Sequence, residues 1–176
     1  DQRGLRPHHG EGGVILSPLA QRYVAAANRE PRRNGRPVDM LILHYTGMAS
    51  AAAACDLLCS PESGVSCHYL IDEDGTITQM VGEDERAWHA GVSNWHGRER
   101  CNDFSIGIEL EGDDETPFAA AQYTALQELL VSLAATWPVR AITSHAHIAP
   151  TRKTDPGPCF DWAMVQAVCP QLEIAP

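Results

Sequence analysis

The spacing of hydrophobic and polar positions along the chain predicts two strands with different surroundings. VDMLILHYT at residues 38–46 is almost continuously apolar and becomes polar only at its C-terminal end, which is typical of a buried central strand. FSIGIELE at residues 104–111 alternates instead, with isoleucine and leucine on one face and Gly107, Glu109 and Glu111 on the other. Each predicted strand therefore carries a polar side chain near its C-terminal end.

The other elements follow from the same kind of pattern. Two β-like runs, 67–72 and 76–81, flank Asp74 and Gly75, a strong hairpin signal. Residues 86–102 hold Gly, Asn, Trp and His without any period and predict a long loop, a kind of segment that often carries function. The remaining predicted elements are a helix at 49–58, an amphipathic helix at 117–136, a short strand at 141–144 and a last helix at 161–168.

Strands that alternate with helices predict an α/β protein, a single domain with a mixed central β-sheet flanked by helices. A length of 176 residues suits one domain with a sizeable core. We expect residues 1–37, rich in Gly, Pro and Arg, to be an N-terminal arm that is partly irregular. The main domain is expected at 38–170, with a C-terminal tail at 171–176.

Charge and composition exclude several classes of function. The formal net charge is −10, and because seven arginines fall within the first 36 residues, the rest of the chain is even more acidic. An acidic body argues against a nucleic-acid partner. No apolar run approaches the roughly 20 residues that span a bilayer. The six cysteines form no CxxC pair and favour a reducing compartment, so we expect a cytoplasmic protein, or a periplasmic or secreted one if a leader has been removed. We also expect a monomer.

Several residues could form a catalytic zinc site, which needs three protein ligands and one open position. His44 lies where an apolar strand gives way to a loop, and ligands gather at the C-terminal ends of strands in α/β sheets. His145 and His147 follow another short strand, and Asp155 lies in a loop stiffened by prolines. Any one of these histidines, taken alone, is more often structural, and spacing does not choose between His145 and His147.

Two further residues could take part in acid–base and electrostatic catalysis. Glu109 faces away from the isoleucines of its strand, toward either solvent or a cleft. Lys153 is the single lysine of the chain and could stabilise an oxyanion next to Asp155. The chain has no GxSxG, P-loop or GxGxxG motif. A Cys–His nucleophile pair stays open as an alternative.

Four stretches together resemble one known family. They are ILHYTG at 42–47, RAWHAGVS at 86–93, GRERCNDFSIGIELEG at 97–112 and HIAPTRKTDPGPCFDW at 147–162. These stretches, in this order, are similar to those of the zinc-dependent N-acetylmuramoyl-L-alanine amidases of type 2, which share their fold with peptidoglycan-recognition proteins. The resemblance covers residues 38–162 and is greatest to the AmpD-type, 1,6-anhydro-muropeptide branch of the family.

The resemblance implies a role for each candidate. His44, His145 and Asp155 match the family's zinc ligands, Glu109 its general base and Lys153 its lysine, which makes 38–170 an amidase catalytic domain. In the long loop, Trp88 and His89 are expected to form the wall of the site or to contact substrate. Arg100 and Arg152 are expected to hold substrate carboxylates.

The implied reaction is zinc-dependent hydrolysis of the amide between N-acetylmuramic acid, in its 1,6-anhydro form, and L-alanine of the stem peptide, in cell-wall recycling. The partner is a muropeptide or a peptidoglycan fragment. Three alternatives stay open: an amidase of broader specificity that acts on intact murein, a non-catalytic peptidoglycan-binding module, and a thiol-dependent amidase.

Overall fold

A computed structural model describes residues 15–33 and 37–176. The strands are β1 (Arg22–Tyr23), β2 (Arg29–Pro31), β3 (Met40–Tyr45), β4 (Tyr69–Ile71), β5 (Ile77–Gln79), β6 (Glu85–Ala87), β7 (Asn94–Trp95), β8 (Arg98–Glu99), β9 (Ser105–Leu110), β10 (Ala141–Ser144) and β11 (Glu173–Ala175). Seven of them form one sheet in the order β1-β5-β4-β9-β3-β10-β11. Because β4 and β5 are antiparallel while β4, β9, β3, β10 and β11 run parallel, the sheet is mixed, as predicted.

Helices lie on both sides of this sheet. They are α1 (Ala51–Cys59), α2 (Ala120–Thr136), α3 (His145–Ile148) and α4 (Ala163–Val168), with 3₁₀ turns at Pro61–Ser63 and Cys101–Phe104. The Oγ of Ser50 accepts a hydrogen bond from the backbone N of Ala53 at 3.1 Å and so starts α1. No helix in the described ranges is long and apolar enough to cross a membrane.

The alternation along β3 divides the core between the two faces of the sheet. Leu41 and Leu43 pack on one face against four buried leucines of α2, which are Leu126, Leu129, Leu130 and Leu133. Met40 and Ile42 point to the opposite face, where they pack with Phe104. Since side chains alternate along a strand, His44 follows Met40 and Ile42 onto the face opposite α2.

Three segments differ from the sequence-based expectations. Of the expected arm, residues 15–33 include β1, which pairs with β5, and β2, which pairs with β6; residues 1–14 and 34–36 lie outside the described residues. Of the expected tail, β11 pairs with β10. The expected long loop at 86–102 includes most of β6 and the whole β7–β8 hairpin. These strands have two or three residues each, too few for an alternating pattern to emerge from the sequence.

Candidate metal centre and active-site cavity

Three neighbouring parallel strands, β9, β3 and β10, end at the same edge of the sheet and carry the candidate residues there. His44 of β3 and Glu109 of β9 are partners in the strand register, so their side chains project side by side. His145 follows β10 directly and begins α3. Asp155 is held beside α3 because its carbonyl oxygen accepts a hydrogen bond from the backbone N of Ala146 at 3.0 Å.

His44, His145 and Asp155 converge on one point with all three side chains buried. The Nδ1 of His44 lies 3.0 Å from the Nδ1 of His145 and 2.9 Å from the Oδ2 of Asp155. The Nδ1 of His145 lies 3.1 Å from the same carboxylate oxygen. Within the described ranges, this is the group of His, Cys, Asp and Glu side chains whose spacing could hold a metal ion.

The two histidines that spacing left undecided lie in different surroundings. His145 is buried, and its Nε2 donates a hydrogen bond to the carbonyl oxygen of Ala90 at 2.9 Å, which leaves Nδ1 free to act as a ligand. His147 is exposed and lies beside the Trp95 ring, with a centroid distance of 5.4 Å. The Oγ of Ser144 accepts from the backbone N of His147 and fixes the start of α3, so that only His145 turns toward His44.

The donor set fits a zinc ion. Ligand atoms around a tetrahedral zinc with bonds of about 2.0 Å are separated by about 3.3 Å, close to the distances found here. Burial lowers the pKa of His44 to about 4, so its ring is neutral at physiological pH, as a ligand must be. Asp155 supplies the carboxylate ligand of the set, with its Oδ2 facing the Nδ1 atoms of both histidines.

Glu109 is partly buried beside this cluster and lines the same cavity. Burial, followed by the negative charge of Asp155, raises the pKa of Glu109 to about 8, although the positive charge of Lys153 acts in the opposite direction. Lys153 is exposed at the cavity wall. A carboxyl group whose pKa lies near neutral pH is suited to exchanging protons during a reaction.

The cavity above the cluster has a volume of about 400 Å³. Its polar side includes Glu109 and Lys153. Its apolar side is formed by α1 and the segments that flank it, through Met48, Ala54, Leu57, Leu58 and Val65. A concave site with one apolar wall and a few convergent polar groups is typical of a small-molecule or peptide site.

Of the four expected substrate contacts, three reach this cavity. Trp88 lines it, and its indole Nε1 is buried without a hydrogen-bond partner in the described part of the chain. Arg152 also lines it, but its Nη2 already donates to the carbonyl oxygens of Ala90 at 2.8 Å and Val92 at 2.9 Å. Arg100 is not among the lining residues; its Nε lies 3.6 Å from the Oδ2 of Asp103.

His89 reaches the cavity wall, but both of its ring nitrogens have partners within the protein. Its Nδ1 lies 3.0 Å from the Nε2 of His44, and its Nε2 lies 3.2 Å from the Oγ of Ser105. Burial lowers the pKa of His89 well below the ordinary value. The structure therefore places His89 behind a candidate metal ligand, with no ring nitrogen free for substrate.

Residues that the sequence did not single out complete the site. At the rim, the hydroxyl of Tyr45 donates to the Oδ2 of Asp114 at 3.0 Å and lies 2.9 Å from the Oγ1 of Thr154. Behind the site, the Oδ1 of Asn102 accepts from the backbone N of both His89, at 3.0 Å, and Ala90, at 2.8 Å. The one signal for Tyr45 is its place directly after His44; Asn102 carries no pattern that marks it.

Comparison of the sequence with known proteins finds matches to N-acetylmuramoyl-L-alanine amidases. The sequence profile described as N-acetylmuramoyl-L-alanine amidase matches residues 34–158. The 1,6-anhydro-N-acetylmuramyl-L-alanine amidase AmpD of Salmonella typhimurium is 58% identical over 106 residues, which are 59% of this chain and 57% of that protein. The match thus spans little more than half the length of that curated relative.

Solved structures support the same assignment. A crystal structure of a selenomethionine derivative of AmpD superposes with a TM-score of 0.79 at 39% identity, over 87% of this chain and 96% of that one. The amidase AmiD of E. coli, in complex with the substrate anhydro-N-acetylmuramic acid-L-Ala-D-γ-Glu-L-Lys, gives a TM-score of 0.70 at 35% identity, over 82% and 62%. Since the amidase profile matches residues 34–158, which is more than half of the chain, the chain belongs to the N-acetylmuramoyl-L-alanine amidase family.

Proposed function

We propose that this chain is a zinc-dependent amidase that hydrolyses the bond between the lactyl group of 1,6-anhydro-N-acetylmuramic acid and L-alanine of the stem peptide. The observation that carries the proposal is the convergence of His44, His145 and Asp155 beside Glu109 at the floor of one cavity. Membership of the amidase family and the likeness to an amidase bound to an anhydromuramyl peptide support the same bond as the target.

Bound at His44, His145 and Asp155, zinc would supply a Lewis acid that polarises the amide carbonyl and lowers the pKa of water toward about 7. Glu109 accepts the proton of the attacking water and passes it to the nitrogen of the departing L-alanine. Its raised pKa suits this exchange, because the protonated form must be accessible after the first transfer. The ammonium group of Lys153 stabilises the negative charge that develops on the carbonyl oxygen.

The remaining wall residues orient the substrate. The indole N–H of Trp88 is a buried donor in need of an acceptor, and a carbonyl or carboxylate of the stem peptide is suited to accept from it. The apolar wall formed by α1 receives the methyl-bearing parts of the lactyl and acetyl groups. Arg152 acts on substrate mainly through the loop it holds, since its Nη2 is committed to the carbonyls of Ala90 and Val92.

Substrate breadth is tested by a direct competition. Zinc-loaded protein is incubated with equal amounts of stem peptide in the form of soluble anhydro-muropeptide and of intact sacculi, and the released peptides are identified by mass spectrometry. We expect the anhydro-muropeptide to be cleaved much faster. Cleavage of sacculi alone would contradict the anhydro-specific proposal and favour the murein amidase.

Two other classes of function predict different results. A non-catalytic binding module would bind anhydro-muropeptide equally with and without chelator and release no product. A thiol-dependent amidase would survive chelation and be lost on alkylation. Neither class is favoured here, because the metal ligands are all present, none of the six cysteines is among the residues lining the cavity, and burial raises the pKa of Cys67, Cys101 and Cys169.

We also propose that the protein works as a cytoplasmic monomer in cell-wall recycling. All six cysteines are free thiols, which suits a reducing compartment. One chain supplies every candidate group of the site, so activity requires no second copy. Light scattering of the active protein should give the mass of a single chain, and fractionation of the native cells should place the activity with the cytoplasm.

A further inference from the structure

A chain of hydrogen bonds runs from His44 through His89 and Ser105 to the carbonyl oxygen of Cys101. Because a carbonyl oxygen can only accept, this end of the chain determines which atom donates at each step. The Oγ of Ser105 lies 2.6 Å from the carbonyl oxygen of Cys101, which can only accept, so the Ser105 hydroxyl donates its single proton there. The same Oγ lies 3.2 Å from the Nε2 of His89 and must accept at that contact. The Nε2 of His89 therefore carries a proton.

This direction passes on to the metal centre. A neutral imidazole with a proton on Nε2 has a lone pair on Nδ1, so the Nδ1 of His89 accepts from the Nε2 of His44 across 3.0 Å. The proton of His44 is then on Nε2, and its Nδ1 presents a lone pair toward His145 and Asp155. The carbonyl oxygen of Cys101, three hydrogen bonds away, thus sets the tautomer of His44.

Packing and a backbone hydrogen bond also fix the position of the His89 ring. A Cβ at Gly107 would lie 2.4 Å from the Cγ and 2.6 Å from the Nδ1 of His89, so the ring rests directly on the backbone of β9 where a side chain is missing. The ring stands edge-on to His44, with centroids 5.1 Å apart and planes at 85°. From the other side, Asn102 holds the backbone N–H of His89.

We propose that His89 is a positioning residue for the metal centre: it holds His44 in the tautomer and ring orientation that present Nδ1 to the ion, with Ser105 and Gly107 holding His89 in turn. The adjacent Ala90 does the same for the other histidine, because its carbonyl oxygen accepts from the Nε2 of His145. Partners of this kind raise metal affinity by fixing the orientation and basicity of the ligand. This inference rests on the metal centre of the proposed function. It assigns His89 a role in holding a metal ligand, which is distinct from contact with the substrate.

The test compares two variants of the same shape. In His89→Asn, the amide oxygen takes the place of Nδ1 and still accepts from His44, whereas His89→Leu is isosteric with Asn and accepts nothing. Zinc affinity is measured by competition with a chromophoric chelator, with urea unfolding of the metal-free proteins as a check on folding. We expect His89→Leu to bind zinc about 10- to 100-fold more weakly than the wild type and His89→Asn to recover most of that loss.

Equal zinc affinity in the Asn and Leu variants would overturn the proposal, since a purely packing role treats the two alike. If the Leu variant does not fold, nitrogen-15 NMR of the zinc-loaded wild type decides: we expect protonated Nε2 and bare Nδ1 on His89, and the opposite tautomer contradicts the proposal. Failure of the wild type itself to bind zinc would instead refute the metal centre. Loss of amide hydrolysis with zinc affinity intact in all variants would also count against a positioning role.

Discussion

Replacing Glu109 with Gln tests the electrostatics of the cavity before any substrate is added. The pKa of this carboxyl group is about 8 in the folded protein, against an ordinary value of 4.5. A raised pKa means that the folded state binds the proton more tightly, so this stabilising contribution is complete below pH 4.5 and is lost as the pH rises toward 8. Gln resembles the protonated carboxyl group at every pH, so the Glu109→Gln variant keeps this stabilising contribution as the pH rises.

The magnitude follows from the two pKa values. One unit of pKa difference corresponds to about 1.4 kcal/mol, so between pH 5 and pH 7 the free energy of unfolding of the wild type should fall by about 2 to 3 kcal/mol relative to Glu109→Gln. The assay is urea unfolding of both proteins in chelator at several pH values. Glu128→Gln, on the exposed side of α2, serves as a control for the substitution itself.

A difference between wild type and Glu109→Gln that does not change with pH would refute the reasoning, because it would mean that Glu109 ionises as freely in the folded protein as in the unfolded chain. The same variant also separates two roles in the zinc-loaded protein. We expect its kcat to fall about 10²- to 10⁴-fold, the usual contribution of a general base, while zinc affinity stays within a few-fold of the wild type.

Three further predictions concern the other candidates. His145→Ala should abolish tight zinc binding in a chelator competition, whereas His147→Ala should retain it; the reverse pattern would show that the wrong histidine has been assigned. Lys153→Met should lower kcat about 10²- to 10³-fold with little change in zinc affinity, and an unchanged kcat would remove the lysine from the mechanism. Arg152→Ala should raise KM for anhydro-muropeptide because the loop it anchors is released, while Arg100→Ala should leave turnover unchanged; equal effects would contradict this division.

Much of the fold could be predicted because the long strands have strong patterns. The apolar run of β3 and the alternation of β9 predicted both strands, and the alternation correctly turned Glu109 away from the isoleucines that pack under α2. The hairpin at Asp74–Gly75 was also confirmed, with β4 and β5 antiparallel on either side of it. Burial of both faces keeps β3 apolar along its length, and packing of one face of β9 against α2 imposes its alternation.

The short strands could not be predicted, since two or three residues do not reveal a period. Both edges of the sheet, β1 and β11, fell within segments expected to be an arm and a tail. They belong to the sheet through backbone hydrogen bonds, which any residue except proline can donate, so their pairing leaves little trace in the choice of side chains.

For the candidate site, sequence supplied the residues and structure supplied their arrangement. His145 and His147 are equivalent in the sequence, and only the turn of α3 separates a buried ring from an exposed one. The role of His89 depends on the Oγ of Ser105 and on the missing side chain at Gly107, both of which lie more than ten residues from His89 along the chain. Contacts of this kind arise from tertiary packing, which no local pattern encodes.

The central claim is tested most directly by the product of the reaction. Anhydro-N-acetylmuramyl tripeptide is incubated with the protein as purified, after chelation, and after zinc is restored, and the products are identified by mass spectrometry. We predict release of a tripeptide with a free N-terminal L-alanine, loss of that product on chelation and its return with zinc. Cleavage that persists undiminished in chelator, or no release of the tripeptide by the zinc-loaded protein, would contradict the account.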